Sequence, residues 1–394
     1  MDVNKYIAYW ADRYYEDITK NILPFWLRYG LDRINGGVYT CVDRDGTLID
    51  STKSVWFQGR FGFISAFAYN NIEANEEWLN ASKSCIDFIE QHCFDTDGRM
   101  YFEVTAEGKP IRKRRYVFSE CFAAIAMSEY SIASGDKSYA HKALELFKSI
   151  LHFINTDGIL EPKYCEGVEM RGHSITMILI NTASRIREAI PANELDAQID
   201  LSIEGLQRYF VHPEFEALLE TVGPNGEFID NIIGRTINPG HCIETAWFLF
   251  EEAKYRNWNP KLTKMAVTIL EWSWKWGWDK EYGGIINFRD CKGLPVQDYS
   301  QDMKFWWPQT EAIIATLYAY EATKDERFLE MHKQISDWTY AHFPDLEHGE
   351  WYGYLHRDGT VAQPAKGNIF KGPFHIPRMM IKGYMLCNEI NKQV

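Results

Sequence analysis

Two histidines stand in local settings suited to moving a proton. His241 lies in Asn238-Pro239-Gly240-His241-Cys242-Ile243-Glu244, where Pro and Gly fix a turn and a helix begins at about His241. His241 and Glu244 are then three apart, neighbours on one face of the first turn. A carboxylate so placed can accept a hydrogen bond from the imidazole, fixing its tautomer and raising its basicity. Taken alone, the pair also reads as helix capping, because the helix dipole favours Glu244 near the N-terminus. His375 is held between Pro373 and Pro377 in Lys371-Gly372-Pro373-Phe374-His375-Ile376-Pro377-Arg378. The prolines restrict the backbone around a side chain that takes and gives protons near neutral pH. His173, in Arg171-Gly172-His173, is a weaker third candidate.

Other polar and aromatic clusters open helices in the same way. They are Trp56-Phe57-Gln58-Gly59-Arg60, Phe118-Ser119-Glu120 and Trp306-Trp307-Pro308-Gln309-Thr310-Glu311. Arg60 and Glu311 alone would pass for ordinary ion-pair residues. Their recurrence at equivalent points of a repeat is what singles them out. Familiar alternatives are missing: there is no G-x-x-x-x-G-K-[ST] phosphate loop, G-x-S-x-G elbow, H-E-x-x-H zinc helix or G-x-G-x-x-G fingerprint. ATP hydrolysis, serine hydrolysis and zinc proteolysis are thereby disfavoured. The remaining histidines, at 92, 141, 152, 212, 332, 342, 348 and 356, are assigned to exposed faces or loops, without a role.

The elements that must position these residues are helical from end to end. In IETAWFLFEEA, the residues Ile243, Ala246, Trp247, Phe250 and Ala253 fall at i, i+3, i+4, i+7 and i+10, and EAIIATLYAYEA repeats the pattern. Periodicity predicts further helices over 78–92, 118–133, 137–154, 172–188, 194–208, 261–276 and 326–342. Segments 36–48, 282–295 and 349–361, with a looser copy at 98–111, share glycine, a short β-prone run and a polar turn. Each is read as a β-hairpin. The polar clusters begin at positions 56, 118, 172, 240, 306 and 372, each step being about two helices long. Six two-helix units are therefore expected to fill residues 1–394 as one domain. No unit resembles the polar cap that an open solenoid needs. The expected fold is all-α, an (α/α)6 barrel of six helical hairpins with short β-hairpin loops at the pocket face. The N-terminal ends of its inner helices would then surround one pocket.

Composition narrows the partners. A net charge of -13 argues against nucleic acid, and the short Arg112-Lys113-Arg114-Arg115 run reads as a solvated loop or local anion contact. No apolar run is long enough to span a membrane, and the first residues lack the order of a secretory signal. The eight cysteines form no C-x-x-C pair and are read as reduced thiols, so a cytoplasmic location is expected. Aromatic residues make up 15%, a composition suited to the faces of sugar rings.

The stretches KSVWFQGR (53–60), FSECFAAIAMSEY (118–130), GRTINPGHCIETAWFLF (234–250), FWWPQTEAI (305–313) and FKGPFHIPR (370–378) together resemble the N-acylglucosamine 2-epimerase family, also known as renin-binding protein-like. The resemblance spans essentially the whole chain. It implies an isomerase that reversibly interconverts N-acetyl-D-glucosamine and N-acetyl-D-mannosamine in amino sugar and sialic acid metabolism. The ring opens, one histidine removes the C2 proton, and another returns a proton to the opposite face of an enediolate-like intermediate. The resemblance assigns catalysis to His241, His375, Arg60, Glu244 and Glu311, with Arg60 stabilising charge on the C1 oxygen. Trp307, His173, Glu120 and Arg378 are expected to bind the sugar. No metal or redox cofactor is required for this chemistry, and ATP enters only as an activator that is not consumed. A homodimer is the default expectation. The nearest alternative is an epimerase or aldose–ketose isomerase of cellobiose, mannose or a related sugar. A glycoside hydrolase using two of Glu120, Glu244 and Glu311, and a non-catalytic sugar-binding or interaction barrel, are the more distant ones.

Overall fold

A computed structural model describes residues 2–165 and 167–393. Its helices are α1 (Val3–Asp17), α2 (Leu23–Tyr29), α3 (Val55–Asn71), α4 (Glu76–His92), α5 (Phe118–Ser134), α6 (Lys137–Asn155), α7 (His173–Ala189), α8 (Asn193–Gly205), α9 (Pro239–Tyr255), α10 (Pro260–Gly277), α11 (Trp306–Thr323), α12 (Arg327–His342) and α13 (His375–Gln393). Short π-helical stretches continue α1 and α8. Burial divides the helices into two layers. In α10, Leu262, Ala266, Ile269, Leu270 and Ser273 form one buried stripe, as expected of a helix with one face in water. In α5, α9 and α11 nearly every side chain is buried, so these helices are covered on all sides.

Among the described residues, six helices form the inner layer, and each packs on the next in the order α3, α5, α7, α9, α11, α13. Contacts between α13 and α3 close the ring. Each inner helix from α3 to α11 pairs with the outer helix that follows it, while α13 pairs with α1 from the opposite end of the chain. The fold is an (α/α)6 barrel. His332 of α12 ties α1 in from beside this seam: its ring nitrogens bridge the hydroxyls of Tyr6 (2.6 Å) and Tyr14 (3.0 Å). The exposed position expected for His332 is thus corrected, since it is fully buried and burial pushes its pKa down to about 3. His212, also expected to be exposed, is buried as well.

The strands at the pocket end are short, and they link neighbouring units. Lys53–Ser54 pairs with Tyr101–Val104, Arg171–Gly172 with Thr221–Val222, Thr236–Ile237 with Arg289–Asp290, and Lys304–Phe305 with Tyr354–Leu355. Hairpin pairing occurs within 98–111, where Tyr101–Val104 meets Pro110–Lys113, and within the 349–361 region, where Tyr354–Leu355 meets Val361–Gln363. Segment 36–48 closes through a single Val42–Leu48 bridge. Segment 282–295 forms no hairpin of its own, because its strand pairs with the loop before α9.

A repeated polar device pins these loops to the inner helices. On α3, Gln58 Oε1 accepts the Val38 N–H (2.8 Å) and its Nε2 donates to the Val38 carbonyl (2.9 Å). On α11, Gln309 does the same with Ile285, at 2.7 Å for both bonds. Lys53 donates to Asp32 (2.7 Å) and Lys304 to Asp279 (2.9 Å), each ammonium being fully buried. A buried ammonium is tolerated only with such partners, and here it also donates to loop carbonyls of Gly36 and Gly283.

Candidate active site

The N-terminal ends of the inner helices surround a cavity of about 530 Å³, lined among others by Arg60, His241, Glu244, Trp307, His375 and Arg378. That volume suits a small-molecule site. His241 stands in the first turn of α9, whose N-cap is Asn238: the Asn238 side chain accepts the His241 N–H at 3.1 Å. His375 opens α13. Between these helices lies α11, and the indole of Trp307 in its first turn lies 5.2 Å from the His241 ring and 5.9 Å from the His375 ring, centroid to centroid. The two imidazoles therefore approach the cavity from either side of Trp307.

The carboxylate that serves His241 is one the sequence reading missed. Both oxygens of Glu220 lie 3.1 Å from His241 Nδ1, so that nitrogen donates and Nε2 is left for a substrate. Burial lowers the pKa of His241, but the charge and hydrogen bond of Glu220 outweigh it and raise the pKa above its usual value. Burial in turn opposes the ionised Glu220, yet His241 and His173 hold its carboxyl well below the usual range. Glu220 sits in a loop just before Thr221–Val222, and pairing of that strand with Arg171–Gly172 carries it beneath His241. No local motif announces it.

Glu244, expected to orient His241, faces Arg378 instead, with Arg378 Nη2 donating at 2.5 Å. The same nitrogen donates to Glu311 at 2.7 Å, and Trp247 Nε1 donates to Glu311 at 2.7 Å. His375 Nδ1 donates to the other Glu311 oxygen at 2.8 Å. Glu311 lies behind His375, outside the cavity lining, and fixes its tautomer. Burial, Arg378 and Arg60 together push the His375 pKa well below its usual value, which leaves it neutral. Potential metal-ligand atoms of Glu244, Glu311 and His375 lie within 4.8 Å of one another. Arg378 hydrogen-bonds both carboxylates and lies 3.2 Å from His375 Nδ1, so a guanidinium is the cation at this point.

Arg60 lines the cavity without an ion pair among the described residues. Its guanidinium is caged by the rings of Phe122 (4.2 Å) and Phe374 (4.7 Å). Burial and the Arg378 charge push its pKa down to about 9, against Glu244 and Glu311. A cation so placed favours any negative charge that develops in front of it.

Two expected sugar contacts lie elsewhere. Glu120 occupies in α5 the place that Gln58 and Gln309 hold in their helices. It is fully buried, and one oxygen accepts the Met100 N–H (3.0 Å) and Arg99 Nε (2.7 Å). It pins a loop and does not line the cavity, which corrects the substrate-binding expectation. His173 is also buried behind the wall, with Nε2 3.1 Å from Thr245 Oγ1 and Nδ1 3.9 Å from Glu220. It supports the Glu220 loop. The glycosidase alternative loses its carboxylate pair by the same geometry. Glu120 does not line the cavity, and Glu244 and Glu311 are bridged by one guanidinium instead of flanking a bond.

Residues 37–371 match the family model described as N-acylglucosamine 2-epimerase (GlcNAc 2-epimerase). The N-acylglucosamine 2-epimerase of Bos taurus is 34% identical over 97% of this chain and 91% of its own length. The cellobiose 2-epimerase of Dictyoglomus turgidum is 24% identical over 96% of this chain and 97% of its own. The solved structure of cellobiose 2-epimerase from Bacillus thermoamylovorans B4167 superposes with a TM-score of 0.84 at 22% identity, covering 98% of this chain and 99% of that one. By family model and by full-length similarity, this chain belongs to the N-acylglucosamine 2-epimerase family.

Proposed function

We propose that this enzyme reversibly epimerises N-acetyl-D-glucosamine and N-acetyl-D-mannosamine at C2. The observation that carries the reading is the pair of imidazoles on either side of Trp307, whose surroundings drive their pKa values apart. Such divergence separates an acid from a base. The C2 hydrogen of an open-chain aldose is weakly acidic, because the C1 carbonyl accepts the resulting charge. His375, whose pKa is pushed down, offers Nε2 as the base, and His241, whose pKa Glu220 raises, is the acid for the opposite face. Arg60 has no carboxylate to neutralise it and faces the charge that builds on the C1 oxygen. Running the reaction backward exchanges the two roles, so one bell-shaped pH profile governs both directions.

The chain's relatives include both acylated-sugar and disaccharide epimerases by name. The higher identity to the former favours the acylated substrate. The test is turnover of N-acetylmannosamine, mannose and cellobiose side by side, with proton NMR at C2 in heavy water. Wild type should place deuterium at C2 of the product. Removing either His241 or His375 should abolish net epimerisation while leaving exchange on one face, a different epimer being labelled in each variant. Substantial net epimerisation by either variant would sink the two-base assignment.

We propose further that ATP, as an activator that is not consumed, binds beside this pocket. A cavity of about 560 Å³ adjoins it through Tyr116 and Ser174, and Arg115, Lys163 and Arg171 on its wall have no ion-pair partner among the described residues. These residues would hold the phosphates and order the loop they sit on. Lys163→Ala should weaken activation by ATP without changing the unactivated rate. A cytoplasmic homodimer acting in amino sugar and sialic acid metabolism completes the proposal, with sedimentation as the check on its oligomeric state.

A further inference from the structure

One wall of the cavity differs in character from the charged part. Helix α7 turns Ser174, Met177, Ile178 and Asn181 toward the pocket, and their spacing of three and four places them on one face. Met177 and Ile178 are apolar. Asn181 is only 6 % exposed, and its side-chain amide hydrogen-bonds no described residue. Neither amide atom is sealed away, so donor and acceptor both open into the cavity. Buried carboxamides are rarely left unpaired, because each carries two N–H donors and a carbonyl that water would otherwise satisfy. Apart from Arg60, the charged groups of the site are already engaged: Arg378 with Glu244 and Glu311, His241 with Glu220, and His375 with Glu311. Among the described residues lining the cavity, Asn181 is the one carboxamide.

We propose that Asn181 recognises the acyl-amino group on C2 of the substrate, an inference that rests on the N-acylhexosamine reading above. A trans amide turns its carbonyl and its N–H to opposite sides, so the carboxamide meets one of them: Nδ2 donates to the acyl carbonyl, and Met177 and Ile178 receive the acyl methyl. An aldose with a hydroxyl at C2 leaves this buried amide short of partners, which is how a polar site rejects an analogue lacking the matching group. Asn181 is a specificity residue here, and proton transfer stays with His241 and His375.

The test uses the full-length protein and two open-chain probes, N-acetylmannosaminitol and mannitol, with Kd from calorimetry. Asn181→Leu keeps the branching and nearly the volume while removing both polar atoms. Wild type should prefer the acetamido probe. In the variant its Kd should rise about 10- to 100-fold, while mannitol binding stays within about twofold. In turnover the variant should show a higher KM for N-acetylglucosamine with a smaller change in kcat. If Asn181→Leu does not fold, as judged by circular dichroism, Asn181→Ser carries the same comparison. An undiminished preference for the acetamido probe in the folded variant, or no preference in wild type, overturns the role of Asn181. Absence of N-acetylhexosamine turnover by wild type is a separate result, and it sinks the reaction assigned above.

Discussion

Replacing Glu220 with Gln removes the charge facing His241 while keeping the side chain's length and one acceptor oxygen. Both Glu220 oxygens are 3.1 Å from His241 Nδ1, so the contact is a charge-assisted bond whenever the imidazole is protonated. A hydrogen bond to an ionised group contributes about 1.5–3 kcal/mol, against about 1 kcal/mol for a neutral one. The difference, about 0.5–2 kcal/mol, is a loss of roughly 2- to 30-fold in rate. A carboxamide can also present its N–H₂ to Nδ1 and favour the wrong tautomer, which carries the expected loss in kcat/KM to about 10- to 100-fold. The pH profile gives the sharper readout. Burial lowers the His241 pKa and Glu220 more than restores it, so the required proton is held to higher pH than usual. Removing the charge must move the alkaline limb to lower pH. The acid limb belongs to His375, which burial, Arg378 and Arg60 hold well below its usual value, and that limb should stay in place. Initial rates across roughly pH 5–10 measure the alkaline limb. An unmoved alkaline limb with kcat/KM within about twofold of wild type would refute the argument.

Two further substitutions separate chemistry from scaffold. Arg60→Lys keeps the charge but loses the planar group caged between Phe122 and Phe374. The expected drop in kcat is on the order of a hundredfold with cooperative thermal unfolding preserved, and near-normal kcat would remove Arg60 from the catalytic set. Glu120→Ala strands a buried guanidinium on Arg99 and leaves the Met100 N–H unpaired. It should cost about 3–5 kcal/mol in denaturant unfolding while the folded fraction keeps its kcat/KM. A lost kcat at unchanged stability would return Glu120 to the active site.

Much of the architecture was legible in the linear sequence because its determinants are local. Apolar residues every three or four positions mark a helix within a dozen residues, and the periodic segments match α4 to α8, α10 and α12 to within a few positions. The recurring polar clusters likewise mark the starts of inner helices, so His241, Trp307, His375, Arg60 and Arg378 meet in one cavity. The partners of those residues were not legible. Glu244 sits one turn from His241, yet it faces Arg378, far along the chain, because the rotation of α9 in the ring aims it there. Glu220 reaches His241 only because a two-residue strand pairs across to Arg171–Gly172, a register too short to leave a pattern. Glu120 resembles a site residue in sequence, but it holds a loop from the structural place that Gln58 and Gln309 occupy in their helices. Sequence by itself determined which segments are helical and which residue types gather at their starts, because propensity and periodicity act over a few turns. Only the closed ring, joined where α13 meets α1 and α3, decided which carboxylate touches which imidazole, Glu220 on His241 and Glu311 on His375.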